Sequence, residues 1–136
     1  MINNLFTPIE YPIYKSALQW HNRGISVYPV CCRSKIPDFN SLRFRGYVNS
    51  GNVGSWKILQ SQLPTLDDLQ YWFDNGRLKN LAVILTDKLV ALDFDSPLRF
   101  YFFRRDSPQL SDTLTVKSGK GYHLYYFLKS PIVGKY

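Results

Sequence analysis

The sequence predicts an α+β domain with a largely antiparallel sheet covered by helices. Three observations carry this expectation. Apolar residues recur at spacings of three to four behind capping residues in separate segments, short β-rich runs fill the gaps, and the later runs come in adjacent pairs, as antiparallel strands do. With 136 residues, 45% of them hydrophobic and 16% aromatic, the chain is long enough to bury a core, and a single domain over 1–136 is expected.

Pro12 suits the first turn of a helix, and Ile13, Ala17 and Trp20 repeat along one face until Gly24. The spacing predicts a helix near 12–22. Residues 25–30 read as a short strand. From Cys31 to Leu63 there is little periodicity and many polar residues, with Trp56 as an aromatic anchor; a loop this long in a compact domain is usually functional or disordered. Thr65 caps a further predicted helix, Asp67 and Asp68 complement its dipole, Leu66, Leu69, Trp72 and Phe73 form its apolar face, and Gly76 stops it. "NLAVILTD" and "KLVALDFD" then read as neighbouring strands joined by a tight hairpin at Asp87-Lys88. Ser96 and Pro97 open a helix carrying Leu98, Phe102 and Phe103 to about Arg105, and "TLTVK" and "YHLYYFL" supply two last strands around Ser118–Gly121.

Seventeen Lys and Arg against ten Asp and Glu leave a formal charge of +7, which favours an anionic partner, nucleic acid ahead of a membrane surface. Arg33, Lys35, Arg43, Arg45 and Lys57 share a stretch whose sole acid is Asp38. Charge alone leaves open a merely solvated loop. The adjacent Cys31 and Cys32 support neither a disulfide framework nor a zinc site. No apolar run is long enough to span a bilayer and no signal-like N-terminus is seen, so an intracellular, cytoplasmic protein is expected.

Chemistry concentrates in two places. Asp93 and Asp95, at i and i+2 on a strand, share a face while Phe94 points into the opposite layer. Two such carboxylates either hold a divalent cation, Mg²⁺ or Mn²⁺, or stand in water at a strand end with Asp95 helping to cap the next helix. In "KSGKGYHLYYF", Ser118, Lys120 and the glycines form a turn suited either to phosphate or simply to a hairpin. His123 and Tyr125 share one strand face, Tyr122, Leu124 and Tyr126 the other. A rolling-circle nicking protein is disfavoured because no HxH occurs, and exposed tyrosines of an RNA-recognition module read equally as core.

Taken in order, "RGISVYPV", "SKIP" at 34–37, Trp56-Lys57, "PTLDDLQYWF", "NLAVIL", "ALDFD" and "TVKSGKGYHLYYF" resemble the N-terminal prim-pol (bifunctional primase/polymerase) domain of the archaeo-eukaryotic primase superfamily. The resemblance covers nearly the whole chain from Tyr14 onward. It implies an antiparallel sheet core related to the RNA-recognition fold with a small α/β subdomain beside it. It further implies a nucleotidyltransferase that joins nucleotides on a DNA template with Mg²⁺ or Mn²⁺. By the same resemblance Asp93 and Asp95 bind metal, and Ser118 and His123, with Lys120 beside them, bind nucleotide phosphates. Lys35 meets nucleotide, and Arg43, Arg45 and Lys57 meet nucleic acid. The partners implied are DNA and nucleoside triphosphates, with a helicase domain or protein left open.

One departure stands out. The family places a further acid on a strand after the histidine motif, whereas Leu124 to Tyr136 contains no Asp or Glu. Three readings stay open: the chain stops short of that motif, Asp87 or Asp112 substitutes, or the domain is a catalytically incomplete relative that binds nucleic acid or nucleotide without chemistry.

Overall fold

Pro12 starts the first helix, α1 (Pro12–Asn22), and Gly24 ends it. With φ at +76°, a conformation glycine adopts without steric cost, Gly24 turns the chain so that the amides of Arg23 and Ile25 reach the Trp20 carbonyl at 3.0 and 3.1 Å. The structure, a computed structural model, describes residues 12–31, 34–74 and 79–129. The expected stop at Gly76, and Cys32 and Arg33 of the basic stretch, lie outside them. The chain divides into two compact units, Met1–Ile84 and Leu85–Tyr136, and each carries its own antiparallel sheet. The fold is α+β.

In the first unit, β1 (Val27–Cys31) pairs antiparallel with β2 (Lys79–Val83), Val27 opposite Val83 and Pro29 opposite Leu81. The long segment between them is not structureless. It holds a short helix, α2 (Phe39–Phe44), a 3₁₀ turn at Lys57–Gln60 and a helix α3 (Leu66–Phe73). Asp38 caps α2, accepting the Ser41 amide at 3.2 Å and the Ser41 hydroxyl at 2.7 Å, and pairs with the Lys79 ammonium of β2. Thr65 and Asp68 form a reciprocal capping box on α3, with bonds of 3.1 and 2.9 Å. Ala17, Trp20, Val27, Leu42, Leu69 and Trp72 fill the core, and the buried Trp72 indole donates to the Ser41 carbonyl at 3.1 Å. Each buried valine or leucine of this set contributes about 1.5–3 kcal/mol relative to exposure.

The predicted hairpin between β2 and the next strand does not form. β2 is hydrogen-bonded to β1, whereas β3 (Leu89–Phe94) pairs with β5 (Tyr122–Phe127), which in turn pairs with β4 (Thr115–Lys117). The intervening residues turn instead around Thr86, whose hydroxyl accepts the Lys88 and Leu89 amides. Ser96 caps α4 (Pro97–Asp106), and a one-turn helix α5 (Pro108–Ser111) follows. Phe100 of α4 stacks on Tyr122 at 4.1 Å, and Phe94 reaches Phe103 at 5.1 Å, so Phe94 does point to the layer opposite its neighbouring aspartates. The inward face of α4 is therefore Phe100 and Phe103; Leu98 and Phe102, expected among its apolar residues, lie exposed. No helix among the described residues is long and apolar enough to cross a membrane.

Candidate active site

Antiparallel register places Asp93 of β3 directly opposite His123 of β5, and paired residues in such a ladder share a face. The side chains meet: His123 Nε2 lies 3.1 Å from Asp93 Oδ1. Tyr125, two residues along β5, stands on the same face with its ring 6.4 Å from the imidazole. Burial pushes the Tyr125 phenol up from its ordinary value, and the Asp93 charge adds to this. Asp93 is 61% exposed and His123 35% exposed, so the pair is reachable by a ligand and contributes little to stability.

Asp95 lies one residue beyond the end of β3, exposed, just before the Ser96 cap. The helix end does not need its carboxylate, because the Ser96 hydroxyl takes the Arg99 amide. What fixes the backbone here is Gly121. A Cβ at this position would fall on the Phe94 carbonyl, with the Phe94 and Asp95 carbonyl carbons 2.7 and 3.1 Å away. Only glycine permits the approach. The Ser118–Gly121 turn is thereby seated against the strand end that bears Asp93 and Asp95. Ser118 closes the turn, its amide donating to the Gly121 carbonyl at 2.8 Å and its hydroxyl accepting the Gly121 amide at 3.0 Å. Lys120 projects at an exposed position, and Gly119 has open space around it.

This donor set fits a hard divalent cation. Mg²⁺ commonly takes one or two carboxylates and completes its shell with water and substrate phosphates, and two exposed carboxylates at a strand end offer oxygen donors of that kind. Among the described residues no group of three or more His, Cys, Asp or Glu able to hold a metal is found. Asp87, in the turn before β3, and Asp112, at the end of α5, do not join Asp93 and Asp95 in such a group.

In the first unit, Lys35, Arg43 and Lys57 are exposed. Arg45 is engaged: its Nε donates to Asp68 at 2.8 Å and its guanidinium lies 5.8 Å from the centre of the Tyr71 ring. Asp68 also receives the Tyr47 hydroxyl. Burial pushes the Asp68 carboxyl up, but these hydrogen bonds and the Thr65 amide outweigh it and hold the group below its usual value. Burial, reinforced by Asp68, raises the Tyr47 phenol. Trp56, the anchor noted in the sequence, stacks on Tyr28 at 5.3 Å.

Residues 17–134 match the Prim-Pol family, bifunctional DNA primase/polymerase, N-terminal. The chain belongs to that family. Comparison with curated proteins and with solved structures gives no match. As a Prim-Pol domain it is of the primase/polymerase type, a class whose substrates are nucleic acid and nucleotides and which generally depends on divalent metal. The residue that pattern reading missed is Gly121. Its sequence signal was a glycine immediately before the strand that carries His123, read there as suited to phosphate or to a hairpin and not as a close approach to the neighbouring strand.

Proposed function

We propose that this Prim-Pol domain is a nucleotidyltransferase that extends or initiates a strand on a DNA template. In the reaction a 3′-hydroxyl attacks the α-phosphorus of a nucleoside triphosphate, the new O–P bond forms, and pyrophosphate leaves with the bridging electrons. The juxtaposition of Asp93 with His123, beside a glycine-seated turn, carries the reading. Asp93 and Asp95 would hold the divalent cation, Mg²⁺ or Mn²⁺. When bound, such a cation neutralises phosphate charge and acidifies the attacking hydroxyl.

The chain's own groups do the positioning. His123, on the same sheet face as Asp93, donates to a phosphate oxygen, while Lys120 adds a positive charge and Ser118 a hydroxyl at the turn. Fixed donors of this type orient the triphosphate and cost no reorganisation during reaction. On the first unit Lys35, Arg43 and Lys57 are exposed and supply positive charge for nucleotide and nucleic-acid phosphates. Arg45 supports that surface from its pairing with Asp68.

Incorporation of a labelled deoxynucleotide on a primed template, with Mg²⁺ or Mn²⁺, tests the reading. Asp93→Asn is expected to abolish incorporation with the thermal midpoint unchanged. Full activity in that variant would remove the assigned role. A wild-type chain that binds nucleic acid in a salt-sensitive way, yet incorporates nothing with either metal, would establish the binding-module reading instead.

A further inference from the structure

Helix α4 buries Phe100, half-buries Phe103 and turns a second aromatic face outward. Leu98, Tyr101 and Phe102 are 60%, 61% and 40% exposed, and with Arg105 they follow the i, i+3, i+4, i+7 spacing of one helical stripe about 10 Å long. Exposed aromatics grouped this way on a small unit mark an interaction site more often than chance surface. The stripe is also positive. Arg105 lies over the Phe102 ring at 4.8 Å, and Arg99, one turn before Phe102 and Phe103, is exposed.

We infer that this outward face of α4 is a docking surface for single-stranded nucleic acid, the template strand in the reading above, on which the inference rests. Bases stack on Tyr101 and Phe102, and phosphates meet Arg99 and Arg105. The chemistry selects this occupant. A flat aromatic surface bordered by guanidinium groups matches a chain of π-faces joined by negative charges, and a sequence-tolerant single-strand site uses that combination. A two-fold contact with a second copy would set the arginines of one helix against those of the other, which opposes self-association. The Asp106 partner of Arg105 is no obstacle, because that ion pair is solvent-exposed and worth little, so a phosphate can replace the carboxylate.

The test is binding of the full chain to a fluorescent oligothymidylate, followed by anisotropy over a range of salt, without divalent metal or nucleotide. Tyr101→Ala is expected to weaken binding about tenfold at every salt concentration, through lost stacking. Tyr101→Phe is expected to keep wild-type affinity. Arg105→Ala should lower the slope of log affinity against log salt by about 0.7, one single-strand phosphate contact. An abasic strand of equal length, which loses the stacks on both rings, should bind the wild type at least as weakly as oligothymidylate binds Tyr101→Ala. Equal binding of abasic and thymidylate strands, or unchanged affinity in Tyr101→Ala, would overturn the inference. So would Tyr101-dependent binding of anionic phospholipid vesicles without Tyr101-dependent binding of the oligonucleotide. The two readings fail separately: Asp93→Asn tests incorporation and leaves this surface intact, whereas Tyr101→Ala tests the surface with no chemistry under way.

Discussion

His123 and Asp93 occupy opposed positions of two antiparallel strands, and the imidazole Nε2 lies 3.1 Å from the carboxylate. The contact sets the carboxylate proposed to bind a cation and the imidazole proposed to bind phosphate side by side on one sheet face. Both side chains reach solvent, so the pair is poorly suited to hold the fold together and well placed to meet a substrate.

His123→Ala is therefore expected to act on nucleotide rather than on folding. Loss of one charge-assisted bond to phosphate should raise the KM for nucleoside triphosphate about tenfold or more. The thermal midpoint should move by less than a few degrees. Steady-state kinetics over a nucleotide series, with a melting curve on the same sample, checks both halves.

Gly121 makes the opposite prediction. Gly121→Ala places a methyl group on the Phe94 carbonyl and forces the turn away from the strand end, at a cost of about 1–3 kcal/mol. Mn²⁺ affinity, read by proton relaxation, should fall with it, because Asp93 and Asp95 flank the displaced backbone. Gly119→Ala, with nothing within 4 Å of the added carbon and no positive φ, should change neither quantity. Urea unfolding of the two variants in parallel separates the outcomes.

These residues also show what pattern reading reaches. The helix at Pro12–Asn22 was legible because its signals are local: a proline that starts it and a glycine that ends it. The shared face of His123 and Tyr125 followed from strand period alone. Helix α2 was missed because six residues with one fully buried leucine give no periodicity, and its cap, Asp38, looked like the lone acid of a basic loop. Strand partners were misread where β2 and β3 adjoin in sequence, because alternation tells which face a residue occupies and not which strand lies beside it. Gly121 escaped for the same reason: its close neighbour is supplied by a strand far back in the chain.

Acid sensitivity should centre on Asp68 and Asp38. For Asp38, as for Asp68, burial raises the carboxyl but is outweighed, here by Lys79 and Ser41, and the net direction is downward. A folded-state value below the unfolded one gives stability that is complete above the unfolded value, about pH 4, and is lost as pH falls through the folded value. The neutral-to-alkaline limb is untouched by these two groups. Asp68→Ala, which strands Arg45 and the Tyr47 hydroxyl, should cost about 3 kcal/mol near neutrality and make the acid limb shallower. Urea midpoints measured from pH 7 down to pH 3 report both effects, and an acid limb identical to wild type would remove Asp68 from the account.

The basic stretch should split into two kinds of arginine and lysine. Arg43 and Lys57 are exposed, so replacing either with alanine should leave stability within about 0.5 kcal/mol. Each should also reduce the salt slope of single-strand binding by about 0.7 if it neutralises a phosphate. Arg45 looks equivalent in the sequence but is bonded to a buried aspartate 23 residues later. Arg45→Ala should therefore destabilise the fold by about 2 kcal/mol or more, by leaving Asp68 without its cation. Comparison of urea midpoints with salt-dependent anisotropy distinguishes the classes. A destabilised Arg43→Ala, or an Arg45→Ala that changes only nucleic-acid affinity, would reverse the assignment.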